Sequence, residues 1–318
     1  MTRSSKTIIS GVDYPKTWSQ FVDWFHDDHS CLEFLEKLRW PNGFVCPRCE
    51  NVVPPYRLSR GRIMCHACRY QCTVTSGTLF EKTRTPLNNW FAAAWYITNQ
   101  KNGVSALGLQ KLLGLGSYQT AWTILHKFRK AMVNPEREKL KGIVEVDETY
   151  VGGRDTGSIR ASNPDSKKAI VIIAVEILEP KGFGRVRLRR ITNASKACTE
   201  QFISENIEPG SVIRTDGSQA YSSIYKLGYS RDKLVQLASP TPAHVSLPGV
   251  HRVASLLKRW LLGTHQGSVK SEQLDAYLDE YAFRFNRRKS RSRGLLFYRL
   301  LELAVETKTV TYKDISKN

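Results

Sequence analysis

The spacing of hydrophobic and polar positions changes period along the chain. From residue 86 it is helical. "PLNNWFAAAWYITNQ" opens on Pro86 and sets Leu87, Trp90, Phe91, Ala94 and Trp95 at intervals of three and four. In "GVSALGLQKLLGLGSYQTAWTILHKFRKAM", Ser105 can cap a short helix bearing Leu107, Leu109, Leu112 and Leu113. Gly114 and Gly116 break that helix. Ser117 then caps a longer one with Ala121, Trp122, Ile124, Leu125 and Phe128 on its apolar side. From residue 142 the period shortens to two. "GIVEVDETYVGG" alternates as a strand, "KKAIVIIAVEIL" is a near-continuous β-branched run suited to a buried strand, and "GFGRVRLRRI" alternates as a half-exposed third strand. "SKACTEQFISENI" is helical. "SVIRTDGSQAYSSIYKLG" reads as a short strand ending at Asp216, followed by a helix. After the irregular "LASPTPAHVSLPG", residues 250–262 and 270–288 read as two more helices.

Three hairpin-linked strands, a helix, another strand and then helices is the element order of a ribonuclease-H-like fold. The fold class expected is α+β and multi-domain. An N-terminal helical segment (1–40) precedes a small ribbon with two cysteine pairs (41–82) and a helix-turn-helix-like module (83–140). A ribonuclease-H-like domain with a mixed sheet (141–290) and a basic tail (291–318) follow. Two helices about a short glycine turn place Tyr118, Gln119 and Thr120 at the start of a recognition helix, where they can reach base edges and phosphates. An ordinary helical hairpin with a solvated basic face is the alternative.

Composition sharpens this picture. Lys and Arg number 48 against 29 Asp and Glu, a net charge of +19, which favours a polyanionic partner, above all nucleic acid. No run of about 18 apolar residues suggests a membrane span, and the N-terminus lacks the apolar stretch of a secretory signal, so a cytoplasmic location is expected. Of seven cysteines, four form two tight pairs, "CPRC" (Cys46, Cys49) and "CHAC" (Cys65, Cys68), fifteen residues apart. Each two-residue gap lets a turn aim two thiolates at one ion, and the intervening hairpin brings the pairs together around Zn²⁺. Such a site is structural, since protein fills all four positions. His66 and Cys72 are less well spaced substitutes; Cys31 and Cys198 read as buried thiols.

Asp147 falls on the first strand of the last domain and Asp216 at the end of the fourth. In the inferred fold these strands adjoin, so both carboxylates reach one rim of the sheet. That arrangement suits two Mg²⁺ or Mn²⁺ ions for phosphoryl transfer. Thirty-four residues separate Asp216 from His251 in "LPGVHRVASLLKRW", an interval that suits a third ligand. Imidazole serves Mn²⁺ better than Mg²⁺. Lys258 lies about two turns on along the same helix face and could touch the scissile backbone, with Arg259 beside it. Glu280 is a rival third acid. Glu148 is another, although on a strand it points opposite to Asp147. The arginines of "FRFNRRKSRSR" read as a solvated basic face or as DNA contacts.

The order of "CPRC…CHAC", "TSGTLFEKTRTPL", "VEVDETYVGG", "TDGSQAY", "LLKRWLLGTHQG" and "YLDEYAFRFNRR" resembles the bacterial insertion-sequence transposases of the zinc-ribbon, ISXO-like group, over roughly residues 15–300. The resemblance implies a DDE-type transposase with Asp147 and Asp216 as its aspartates and Lys258 as the motif's lysine; the third position, His251 here, is not uniformly glutamate in that group. It implies cleavage at the ends of an element and joining of the 3′-hydroxyl to target DNA. It further implies double-stranded DNA as partner, oligomerisation on DNA and association with the nucleoid when active. A silent, transposase-derived DNA-binding regulator and a ribonuclease-H-type nuclease are the alternative functions.

Overall fold

The computed structural model describes residues 8–133, 137–152, 168–233, 247–266, 269, 271–290 and 292–316. The end of "VDETYVGGR" from Gly153 and most of the irregular "LASPTPAHVSLPG" fall outside them. The chain forms two units: residues 1–134 with 289–318, and residues 135–288. Among the described residues no helix is long and apolar enough to cross a membrane.

The first unit begins with α1 (Trp18–Trp24) and α2 (Asp28–Arg39), capped by the side chains of Thr17 and Asp27. The ribbon follows as three short antiparallel strands, β1 (Tyr56–Arg57), β2 (Arg62–Met64) and β3 (Gln71–Thr73). Next come α3 (Leu87–Asn99), α4 (Ala106–Leu113) and α5 (Tyr118–Ala131). Ser105 and Ser117 cap α4 and α5 as expected, accepting from the N–H groups of Gly108 and Gln119, and Gly114 ends α4 in the left-handed conformation. Not all the apolar residues expected on α4 are inside: Leu109 is fully buried, while Leu107 and Leu112 are exposed.

Residues 291–318, expected as a basic tail, instead contain α9 (Arg293–Glu306) and α10 (Tyr312–Ser316). α9 packs against α2, α3 and α5. Its Phe297 contacts the rings of Phe21, Phe25, Phe34, Phe91 and Trp95 at centroid distances of 5.5–6.3 Å. This is the aromatic core of the unit. Gly294 permits the approach: a Cβ there would lie 1.9 Å from the carbonyl oxygen of Pro15. Further contacts tie the end of the chain to the segment after the ribbon. The N–H of Leu79 donates to Ala304 O, and the Thr309 hydroxyl to Thr78 O and the Glu81 carboxylate. The side of this helix turned inward carries Leu296, Phe297, Leu300, Leu301 and Ala304.

The second unit is built on a five-stranded sheet. β4 (Ile143–Val151), β5 (Ala169–Ile177) and β6 (Phe183–Ile191) form an antiparallel meander. After α6 (Lys196–Asn206), β7 (Val212–Thr215) lies parallel to β4, and β8 (Ser230–Lys233) parallel to β7. The order β6-β5-β4-β7-β8 is that of the ribonuclease-H-like fold. α7 (Pro248–His265) and α8 (Leu274–Asn286) cover one face, burying Val171, Ile173 and Val175 under Val253, Leu257, Leu278 and Tyr281. α6 covers the other, where Val144, Val146, Ile172 and Ile213 meet Phe202 and Ile203. Between β7 and β8 the expected helix is only two short 3₁₀ turns, Gln219–Tyr221 and Ile224–Leu227.

Candidate active site

The two cysteine pairs converge. The four sulfurs lie within 4.8 Å of one another, with Sγ–Sγ separations of 3.6 Å (Cys46–Cys68) and 3.7 Å (Cys49–Cys65). A tetrahedron with Zn–S bonds of about 2.3 Å has edges of about 3.8 Å, so the set fits a structural zinc. Each pair sits in the same kind of turn. The residues after the second cysteines, Glu50 and Arg69, have φ of 56° and 58° and donate their N–H groups to Cys46 O and Cys65 O. His66 and Cys72 are outside the group: His66 packs its ring on Tyr56, and Cys72 is buried on β3. Cys31 is buried as expected, but Cys198 is only half-buried at the start of α6.

In the second unit the register decides the geometry. β4 and β7 run parallel with Glu145 opposite Arg214. Two residues further along each chain are Asp147 and Asp216, which therefore come level where β7 ends, β4 running on beside β5 to Val151. Asp147 pairs with Ile173 on β5 and shares the face that α7 covers. Burial pushes the Asp147 carboxyl up to about 7, and the charges of Glu148 and Asp216 add to it against the pull of the Glu148 N–H. Burial likewise raises Glu148, with the charge of Asp216 adding and the Tyr221 hydroxyl, which donates to Glu148 Oε1 at 2.6 Å, opposing. Alternation along the strand puts Glu148 opposite Asp147, yet both carboxylates lie within electrostatic range of Asp216, because β7 ends at Thr215, level with the middle of β4. Asp216 is held by an Asx turn, its Oδ1 accepting from the Ser218 N–H at 3.0 Å. Burial and like charge make Asp147 and Glu148 favour protons or cations, and carboxylate oxygens are the donors that hard divalent cations prefer.

α7 starts on the same strand. Glu145 is buried two residues before Asp147, and its Oε2 accepts from the Val250 N–H at 3.0 Å. Gly249 also donates to this carboxylate, and burial raises the Glu145 pKa against these two N–H groups. A carboxylate on β4 thus caps the first turn of α7, and His251 follows on the next residue. Lys258 and Arg259 are exposed further along α7, with Arg252 and Ser255. Among the described residues only the four cysteines draw their donor atoms as close together as 4.8 Å; His251 does not form such a compact set with Asp147 and Asp216.

Glu280 is not placed as a rival. It is fully buried in α8 and bound by Arg284 at 2.8 Å. Its neighbours in the basic run are also engaged: Arg287 and Arg288 stack on Phe283 and Phe285 at 4.0 and 3.9 Å, and Arg288 donates to the carbonyls of Phe183 and Gly184 at the start of β6. Arg288 ties the end of α8 to the sheet edge, while Arg284 and Arg287 are engaged within α8. In the first unit Tyr118 and Gln119 are exposed and Thr120 half-exposed at the start of α5. Glu145, Tyr221 and Arg231, which braces the turn at Asp216, had no sequence signal beyond a charged or polar residue near a strand end.

Residues 139–286 match the ISXO2-like transposase domain and residues 26–71 the transposase zinc-ribbon domain. Over these two stretches the chain carries a transposase zinc ribbon and an ISXO2-like transposase domain. It is 26% identical over 278 residues to an uncharacterized protein in transposable element ISH50 of Halobacterium salinarum, covering 82% of this chain and 91% of that one. Among solved structures it is similar to the catalytic core domain of BIV integrase (17% identity, TM-score 0.33, 48% of this chain and 89% of that one). It is also similar to a pre-cleavage Mos1 transpososome (12% identity, TM-score 0.28, 71% and 78%).

Proposed function

We propose that the chain cuts the ends of an insertion element and joins the freed 3′-hydroxyl to target DNA, with Asp147, Asp216 and His251 as the ligands of divalent cations. The observation that carries this reading is the parallel β4–β7 register, which brings two carboxylates out level at one rim of a ribonuclease-H-like sheet. Divalent cations bound there would activate the attacking oxygen and stabilise the leaving one. The protein's own residues then have three tasks. Asp147 and Asp216 supply the negative charge that holds the cations. Glu148, with one oxygen engaged by Tyr221, adds to the field that keeps cations in place. Lys258 and Arg259, exposed along α7 beyond His251, neutralise the DNA backbone as it lies across the rim. Tyr118, Gln119 and Thr120 read the element ends from α5, and the assembly works as a homo-oligomer on double-stranded DNA.

The test is a cleavage and joining assay on the DNA ends of the element in Mg²⁺ and in Mn²⁺. Asp147→Asn and Asp216→Asn should each lose orders of magnitude in cleavage with DNA binding nearly intact. His251→Glu should support Mg²⁺-dependent cleavage at least as well as histidine does, and His251→Ala should lose it. A His251→Ala variant with full activity removes histidine from the ligand set. A wild-type chain that binds the ends and never cuts them is the silent regulator, and one that cuts without joining is a nuclease.

A further inference from the structure

Arg231 lies on β8, the edge strand, opposite Ile213 of β7. Its side chain is half-buried and turned toward the β7 terminus. Nε donates to the Thr215 hydroxyl at 3.1 Å, and Nη2 donates to Asp216 O at 3.0 Å and Ser218 O at 2.9 Å. The Thr215 hydroxyl in turn donates to Asp216 O at 3.0 Å. With the Ser218 N–H bound to Asp216 Oδ1, these bonds close a network around residues 215–218. The guanidinium also lies 5.9 Å from the ring of Tyr221, whose hydroxyl holds Glu148. The carboxylate adjoining Arg231 in sequence, Asp232, is taken by Arg214 at 2.8 Å.

A guanidinium directed to backbone carbonyls fixes backbone. Here the carbonyls are those of Asp216 itself and of the residue that closes its Asx turn. The direction of the Asp216 carboxylate is set by that turn. Because Arg231 takes the carbonyl and leaves the carboxylate to the Ser218 N–H, it does not compete with a cation for the acid oxygens. We infer that Arg231 is a positioning residue for Asp216, holding its carboxylate in the direction a divalent cation requires. The inference rests on the reading of Asp216 as a metal ligand. Lysine cannot replace the arginine fully, since one ammonium lacks the planar fork that reaches three acceptors at once.

The experiment compares full-length wild type, Arg231→Lys, Arg231→Gln and Asp216→Asn. Mn²⁺ binding is followed by the electron paramagnetic resonance of the free ion, and cleavage is measured across the same Mn²⁺ range. Loss of an outer partner of a metal ligand costs about 10–100-fold in metal affinity. Arg231→Gln should therefore need at least about tenfold more Mn²⁺ for half-saturation and for half-maximal cleavage, recovering at high Mn²⁺. Arg231→Lys should fall between it and wild type, with DNA affinity unchanged in both. Wild-type Mn²⁺ affinity in Arg231→Gln, or in Arg231→Lys if the glutamine variant does not fold, overturns the inference even if melting is lowered, because stability is then the arginine's whole role. If Asp216→Asn binds Mn²⁺ and cleaves like wild type, the ligand reading fails and the inference with it. If Asp216→Asn is inactive while both Arg231 variants behave as wild type, only the inference fails.

Discussion

Replacing Gly249 by alanine should loosen the start of α7 and slow cleavage, although alanine is the better helix former. A Cβ at this position would stand 2.8 Å from Glu145 Oε2 and 2.8 Å from Ile177 Cδ1. The isoleucine methyl ends a flexible side chain and can turn away. The carboxylate can withdraw only by releasing the Val250 N–H, now at 3.0 Å. A hydrogen bond to a charged group contributes about 1.5–3 kcal/mol. Against this, exchanging glycine for alanine in a helix returns at most about 1 kcal/mol. The net cost is about 0.5–2 kcal/mol, the difference of those two ranges. For a unit of this size that lowers the melting temperature by roughly 1–8 °C. His251, a cation ligand in the function proposed above, lies two residues beyond, and a displacement of about 1 Å at such a group can cost about 100-fold in rate. The assay pairs thermal unfolding without divalent cations with end cleavage at saturating Mn²⁺. A double-mutant cycle adds Glu145→Ala, which removes the group that the new methyl would strike, so Gly249→Ala should cost less in that background. A Gly249→Ala chain that melts higher than wild type and cleaves as fast refutes the reasoning.

A fragment ending at residue 134 should not fold as a stable unit, because it lacks α9; near-ultraviolet circular dichroism with and without residues 289–318 supplied in trans checks this. In the full chain, Phe297→Ala should destabilise the same unit by about 3–5 kcal/mol, read by denaturant unfolding. The full chain should carry about one zinc by metal analysis, and Cys65→Ser should lose it while the second unit still melts as before. Because burial and neighbouring acids raise Asp147 to about 7, protons compete with cations there. Mn²⁺ affinity should weaken as pH falls through about 7, and an Asp147→Asn chain should show a much flatter dependence by titration calorimetry.

Much of this protein was legible in short stretches of sequence. Two C-x2-C pairs specified a four-sulfur site because a two-residue gap fixes how two thiolates point. Ser105 and Ser117 marked helix starts because a cap acts on N–H groups two or three residues away. The period-two runs at 143–151, 169–177 and 183–191 gave three strands, and their order with the later elements was enough to set the strand of Asp147 beside the strand that leads into Asp216. What the sequence left open depends on which surface meets which. β8 is four mostly polar residues, "SRDK", joined to the sheet by backbone bonds that leave no side-chain pattern. The arginines of "FRFNRR" look like a basic face until Arg284 is seen on Glu280, Arg287 on Phe283, and Arg288 on Phe285 and the carbonyls of Phe183 and Gly184. α9 reads as the end of the chain, and only the aromatic residues of α1, α2 and α3 reveal that it completes the first unit. Glu145 and Arg231 belong to the same class: each acts on a backbone far from it or on another strand, and such contacts exist only once the sheet has brought the segments together.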